Sequence, residues 1–192
     1  MSFFIAVCIE KCFTFALSNF KQKSFFYMEN HRKKTTYDKI LEIVAVVALL
    51  VSFCPLLLYH TINPDTIFPT HYNIAGEIDG WGGRSSLWLI PLIGLAFYIG
   101  LSILQKYPKI YNYPCKVTEQ NANYLYRMGV QLMRHVKVCF MIILAYANND
   151  MYMGAINKNN GPIGILYAIL MAGMFVPVII YIIKMVRYKS KV

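Results

Sequence analysis

The sequence predicts an all-α membrane protein with four transmembrane helices, and three observations carry that reading. Of the 192 residues, 57% are hydrophobic, more apolar surface than a soluble domain of this size can bury, and the excess is gathered in long blocks. Four blocks stand near the roughly 20 residues that cross a hydrocarbon core at a rise of about 1.5 Å per residue. The Lys and Arg residues alternate between the joining segments: seven precede the first span, one lies in 60–86, six in 105–137, one in 148–162 and four from Lys184 onward. Basic residues accumulate on the cytoplasmic side. Both termini and the middle loop are therefore expected in the cytoplasm, with the loop between spans one and two outside, in a multi-pass membrane protein. The net charge of +10 then reflects anchoring of helix ends, and the lipid bilayer rather than nucleic acid is the expected partner.

The first span covers about residues 40–59 (ILEIVAVVALLVSFCPLLLY), and its one acid, Glu42, falls near an end where headgroups can solvate it. The second covers about 87–104 (LWLIPLIGLAFYIGLSIL), with Trp88 as an interfacial anchor. Pro55 and Pro91 are tolerable because neighbouring helices and water can satisfy the carbonyls that lose an N–H donor. The third span, about 136–153, has a short apolar core, VCFMIILAYA. Upstream of it, Thr118 can N-cap a helix in which Ala122, Leu125, Gly129, Leu132 and Val136 recur at helical spacing, with Arg127, Gln131 and Arg134 on the other side. That segment reads equally as an amphipathic cytoplasmic helix lying on the membrane surface before helix 3 and as the extended end of span three. The fourth span, about 163–186, contains Pro177 and ends with Lys184, which can snorkel.

These spans make one membrane domain over 40–188, preceded by an N-terminal cytoplasmic segment, 1–39. Residues 1–27 are apolar but broken by Glu10 and Lys11, a poor signal peptide, whereas Met28 opens the polar, basic run ENHRKKTTYDK. We read Met28 as the translation start and 1–27 as a start-site artefact; detection of Ser2–Phe20 peptides in the native protein would overturn that. His31, within the basic run, is expected to be solvated. The five cysteines, Cys8, Cys12, Cys54, Cys115 and Cys139, form no CxxC pair and avoid the outer loop, which argues against a disulfide framework.

The outer loop holds the chemistry-bearing residues. FPTHYNIAGEIDGWGGR, residues 68–84, carries one His, one Glu, one Asp, one Trp, one Arg and four glycines. β-Branched and aromatic residues in TIFPTHYNI, 66–74, favour extended backbone, and the glycines of AGEIDGWGG supply positive φ, so an ordered extracytoplasmic loop with a short β-hairpin is expected, turning at Asp79-Gly80. Tyr72 and Trp81 would rest at the membrane interface, and Arg84 would pair with Asp79 or Glu77 or meet a lipid phosphate. The ligand-binding candidates are His71, Tyr72, Glu77, Asp79, Trp81 and Arg84. His60, Asp65, His71, Glu77 and Asp79 include metal-ligand types, but no metal spacing is present, and neither a metal nor a cofactor is expected. Ser85 or Ser86 beside His71 would suit a nucleophile and base, yet there is no GxSxG turn, so an enzyme is not expected. Proton-coupled transport wants ionisable groups deep in the membrane, whereas Glu42, Lys137 and Lys184 lie near span ends, and His135 reads as an interfacial polar residue.

The order Pro69-x-His71-Tyr72-Asn73-x-x-Gly76-Glu77-x-Asp79-Gly80-Trp81-Gly82-x-Arg84 resembles the signature of the DUF1648 family, P-x-H-[FY]-[ND]-x-x-G-x-x-[DN]-G with a following basic residue. NYPCKVTEQNA, from Asn112 to Ala122, is similar to a second stretch frequent in its bacterial members, so the resemblance covers about residues 40–135. It implies a relative of the N-terminal part of the SDP immunity protein family, whose members protect a producing cell from its own secreted toxic peptide and sequester a cytoplasmic repressor; it brings no catalytic residues. The function expected is that of a non-enzymatic, sensing or protective (immunity-like) membrane protein binding through its outer loop. A secreted peptide or envelope component outside and a cytoplasmic regulator inside would be its partners. The alternative is a small transporter or an accessory subunit of one, with Gln131, Arg134, His135 and Asn148 along an internal path; a membrane hydrolase is a third class.

Overall fold

A computed structural model describes residues 34–73, 77–157 and 163–189; the start-site reading of 1–27 and the reading of His31 lie outside the described residues. Among the described residues four helices are long and apolar enough to cross a membrane: α1 (Thr36–Ser52), α2 (Leu89–Leu104), α3 (Ala122–Asn157) and α4 (Ile163–Lys189), with a two-stranded antiparallel hairpin, β1 (Phe68–Tyr72) and β2 (Ile78–Gly82), between α1 and α2. Their outward faces carry exposed Ile43, Leu50, Leu92, Ile99, Ile169 and Ile179, the surface that a hydrocarbon solvent accepts without cost.

The first span is broken, and Pro55 explains where. α1 stops at Ser52, a four-residue helical turn follows at Cys54–Leu57, and a 3₁₀ turn at Tyr59–Thr61 completes the segment. Proline has no N–H, so the Val51 carbonyl loses its i+4 donor, and the Leu56 N–H turns to Phe53, which frees the Ser52 carbonyl as well. Both acceptors are recovered from α3: Asn148 Nδ2 donates to the Ser52 carbonyl at 2.7 Å and Asn149 Nδ2 to the Val51 carbonyl at 3.0 Å. A neighbouring helix thus satisfies the proline break, as expected of this position.

α3 is the axis of the bundle. Its span is 44% buried against 6% for that of α4, and its 36 residues reach about 54 Å at 1.5 Å per residue, well beyond a hydrocarbon core of about 30 Å. The amphipathic segment upstream of span three is therefore the extended end of one continuous helix, the second of the two alternatives. The helix opens on a capping exchange in which Thr118 Oγ1 accepts from the Asn121 N–H at 3.4 Å and the Thr118 carbonyl from the Ala122 N–H at 2.9 Å, so Thr118 stands at the cap as expected. Asn121 Oδ1 accepts from the Thr118 N–H at 2.7 Å, its Nδ2 donates to the Lys116 carbonyl at 3.1 Å, and its carbonyl receives the Leu125 N–H. Along α3 three apolar clusters follow in order. Leu125 packs with Cys115, Tyr181 and Met185; Val138, Met141 and Ala145 pack with Ala45, Ala48 and Leu49; Met151 packs with Ile62, Phe68 and Leu87 beneath the hairpin. The loop after α2 folds onto the first turns of α3 at Gly129, where a Cβ would stand 2.8 Å from the Tyr113 hydroxyl and 2.9 Å from the Tyr111 ring.

Charges sit inside the bundle at the end opposite the hairpin. Arg134 Nη1 meets Asp38 Oδ1 at 2.6 Å, both buried. Lys137, wholly buried, donates to Glu42 Oε2 at 2.7 Å and to Ser102 Oγ at 3.1 Å, and its ammonium lies 4.7 Å from the Tyr98 ring centroid. Two expectations need correction here. Glu42 is not left to headgroups, because Lys137 compensates it across the helix interface, and Arg134 does not face outward, because Asp38 holds it within the bundle. His135 is likewise engaged: its Nδ1 faces the Gln131 carbonyl at 2.8 Å, which can only accept, so Nδ1 carries the proton, and in the neutral ring Nε2 accepts from the Tyr37 hydroxyl at 2.6 Å.

Candidate functional site

The hairpin is the ordered loop that the sequence led us to expect, but its turn lies elsewhere. Phe68 pairs with Gly82, Pro69 with Trp81, His71 with Gly80 and Tyr72 with Ile78. Thr70 on β1 and Asp79 on β2 are therefore extra residues, two bulges that bend the ribbon. Asp79-Gly80 is inside β2, not at the turn. Gly80 is required there by close approach, since a Cβ would come 2.8 Å from the Cβ of His71 across the ladder. The turn is closed instead by Asn73 and Glu77: the Asn73 N–H donates to the Glu77 carbonyl at 2.9 Å, the Glu77 N–H to Asn73 Oδ1 at 2.9 Å, and Asn73 Nδ2 to Glu77 Oε2 at 3.0 Å.

The hairpin has two faces with different work. Phe68 and Pro69 are fully buried against the bundle, with Pro69 Cγ only 3.5 Å from where a Cβ on Gly154 of α3 would stand. Outward, His71 Nδ1 and Asp79 Oδ1 pair, with side chains 72% and 44% exposed, and Trp81 is 55% exposed. The bulge at Asp79 brings its carboxylate to the imidazole, so the pair is a product of the strand irregularity.

Two candidates are placed differently from expectation. Arg84 pairs with neither Asp79 nor Glu77. Its Nη1 donates to the Ile62 carbonyl at 3.1 Å and to the Tyr59 carbonyl at 3.3 Å, and the guanidinium lies 4.4 Å over the Tyr59 ring. The end of the first span leaves these carbonyls without helical donors, and a planar cation supplies several at once. Tyr72 lies half-buried. Its hydroxyl faces the Asp150 carboxylate of α3, and its pKa is pushed up to about 12, chiefly by burial and then by that negative charge.

Asp150 was missed in the sequence. It has Tyr146 one turn before it on α3, Tyr167 across on α4 and Tyr72 above it on β1, all within electrostatic reach of one another. A lone acid in AYANNDMYM was the available signal, but it reads there as the polar edge of a weak span.

The hairpin separates the other combinations considered. Ser85 and Ser86 lie in a 3₁₀ turn, Arg84–Trp88, and among the described residues neither is hydrogen-bonded to His71. Likewise, among the described residues, no three His, Cys, Asp or Glu side chains are placed to hold a metal ion; His60 packs edge-on against Tyr59 instead.

No curated protein and no solved structure matches the chain. The match to a family model ends before the Asn112–Ala122 stretch; it takes in most of α1, the whole hairpin and the first turns of α2. Over that part the resemblance noted from the loop signature is met: residues 43–95 match the domain of unknown function DUF1648.

Proposed function

We propose that this is a non-enzymatic protein of a bacterial cytoplasmic membrane that senses or guards against an envelope component by binding it on the outer face of its hairpin. One observation carries the reading. The hairpin's inner face is spent on packing against α3, while His71, Asp79 and Trp81 are presented outward on a ribbon closed by Asn73 and Glu77. A rigid, bent ribbon with an exposed aromatic and a polar pair loses little conformational entropy on engaging a peptide or other envelope molecule. The distribution of Lys and Arg supports an outward hairpin and cytoplasmic termini, where the basic inner face would meet anionic lipid or a regulator.

The transporter alternative gains less support. The polar residues it would string along a path already have structural partners: Asn148 with the Ser52 carbonyl, Arg134 with Asp38, and His135 with Tyr37 and Gln131.

Chromosomal Trp81→Ala and His71→Ala strains, checked for unchanged protein level, test the proposal by survival under secreted envelope-active peptides. The expected result is sensitivity approaching that of a complete deletion. Wild-type survival of the deletion itself would refute immunity to those peptides.

A further inference from the structure

We propose that Asp150, Tyr72, Tyr146 and Tyr167 form a binding site for an alkylammonium group at the inner edge of the hairpin, distinct from the outward surface carrying His71, Asp79 and Trp81. Asp150 Oδ2 and the Tyr72 hydroxyl are both shielded from solvent and face one another, in a geometry short of a full hydrogen bond. Among the described residues no Lys, Arg or His is paired with Asp150, whereas the acids at the other end of the bundle, buried Asp38 and half-buried Glu42, meet Arg134 and Lys137. A desolvated carboxylate without a counter-charge is costly. Unlike Lys137, none of the four residues is wholly buried, so a cation can come to the rim of the cluster from outside the chain.

The surroundings select the kind of cation. A divalent metal wants six or more hard oxygen ligands, several of them anionic, and here one carboxylate stands among phenols. Tyrosine faces, by contrast, attract an organic ammonium through the ring quadrupole, by about 0.5–2 kcal/mol per ring depending on solvation. Tyr146 and Tyr167 meet edge to face at 5.1 Å, and both lie within electrostatic reach of the acid. A carboxylate with aromatic rings and a phenol beside it suits an amine-bearing group, either the headgroup of an amine lipid or a free alkylamine.

The test uses the full chain in nanodiscs of phosphatidylglycerol alone. One arm adds ethylammonium or tetramethylammonium chloride against equal sodium chloride; the other replaces a graded share of the lipid with phosphatidylethanolamine. Tyrosine difference absorbance reads occupancy. Saturable change in the first arm assigns free amines, in the second the lipid headgroup, and either supports the site, provided Asp150→Asn weakens it at least tenfold and Asp150→Glu retains it. Tyr146→Ala, which keeps the acid, is expected to weaken it several-fold and serves if Asp150→Asn does not fold. No saturable change in either arm, or equal change in wild type and the Asp150→Asn or Tyr146→Ala proteins, overturns the proposal.

Discussion

The two ends of the bundle treat buried charge in opposite ways. Opposite the hairpin, α1 and α3 bring acids and bases together in pairs, Asp38 with Arg134 and Glu42 with Lys137, and Ser102 of α2 completes the environment of the lysine. Beneath the hairpin a single carboxylate, Asp150, is surrounded by tyrosines and matched by no base of the described chain. Burial costs a charge heavily at either place. Compensation within the chain ties helices together, whereas compensation deferred to an outside group leaves a place for that group. A paired network is thus a device for fixing how α1 crosses α3, and the lone acid a device for recognition.

The largest effect expected from this contrast follows removal of one partner at the paired end. Lys137→Met leaves Glu42 with only the more distant Arg134 Nε, at 3.8 Å, and should cost up to about 3–5 kcal/mol, the range for breaking a fully buried pair, seen as a collapse of thermal stability in detergent. The double variant Glu42→Gln, Lys137→Met should recover most of that loss, because replacing both charges removes the desolvation cost too. Equal damage from both variants would break the comparison, since the pair would then be acting through packing alone.

Next in size is Asn148→Leu, which leaves the Ser52 carbonyl at the α1 break without a donor. It should lose about 1–3 kcal/mol, the cost of a buried unsatisfied acceptor, measured by the same melts. Asn148 lies two residues from Asp150 on α3, so this substitution separates the effect of a committed polar group from that of an uncommitted one.

Asp150→Asn should change stability by less than about 1 kcal/mol, because no ion pair is broken and the amide oxygen can still accept from the Tyr72 hydroxyl. A loss as large as that of Lys137→Met would mean that Asp150 has an internal role after all. The same variant should lower the pKa of Tyr72 from about 12, but leave it above the ordinary tyrosine value of about 10, since burial is the larger cause and Asp150 the smaller. Spectrophotometric titration of wild type against Tyr72→Phe isolates that ionisation. Because the folded pKa is raised, Tyr72 contributes stability that is present below about pH 10 and is lost as pH rises through about 12.

Much of this was legible in the sequence because it depends on quantities that add along the chain. Mean apolarity over about 20 residues found all four spans, and β-branched, aromatic and glycine content found the hairpin. Turn chemistry was less reliable. Asp79-Gly80 has the composition of a turn, yet cross-strand closeness to the Cβ of His71 draws Gly80 into β2, and the side chain of Asn73 closes the turn instead. The partners of Arg84 were missed for a related reason: its acceptors are backbone carbonyls of Tyr59 and Ile62, which carry no residue-specific signal. Separations of 95 and 96 residues, between Glu42 and Lys137 and between Ser52 and Asn148, lie beyond any periodicity.

By itself, then, the sequence determined that there are four spans, that a hairpin joins the first two and that basic residues gather at alternate ends, since transfer to hydrocarbon and backbone propensity act residue by residue. Only the tertiary structure decided which charges are neutralised. Whether an acid in an apolar helix meets a base depends on rotation and depth of one helix against another, and these are set by packing over the whole bundle. That packing carries Lys137 to Glu42 and leaves Asp150 among Tyr72, Tyr146 and Tyr167.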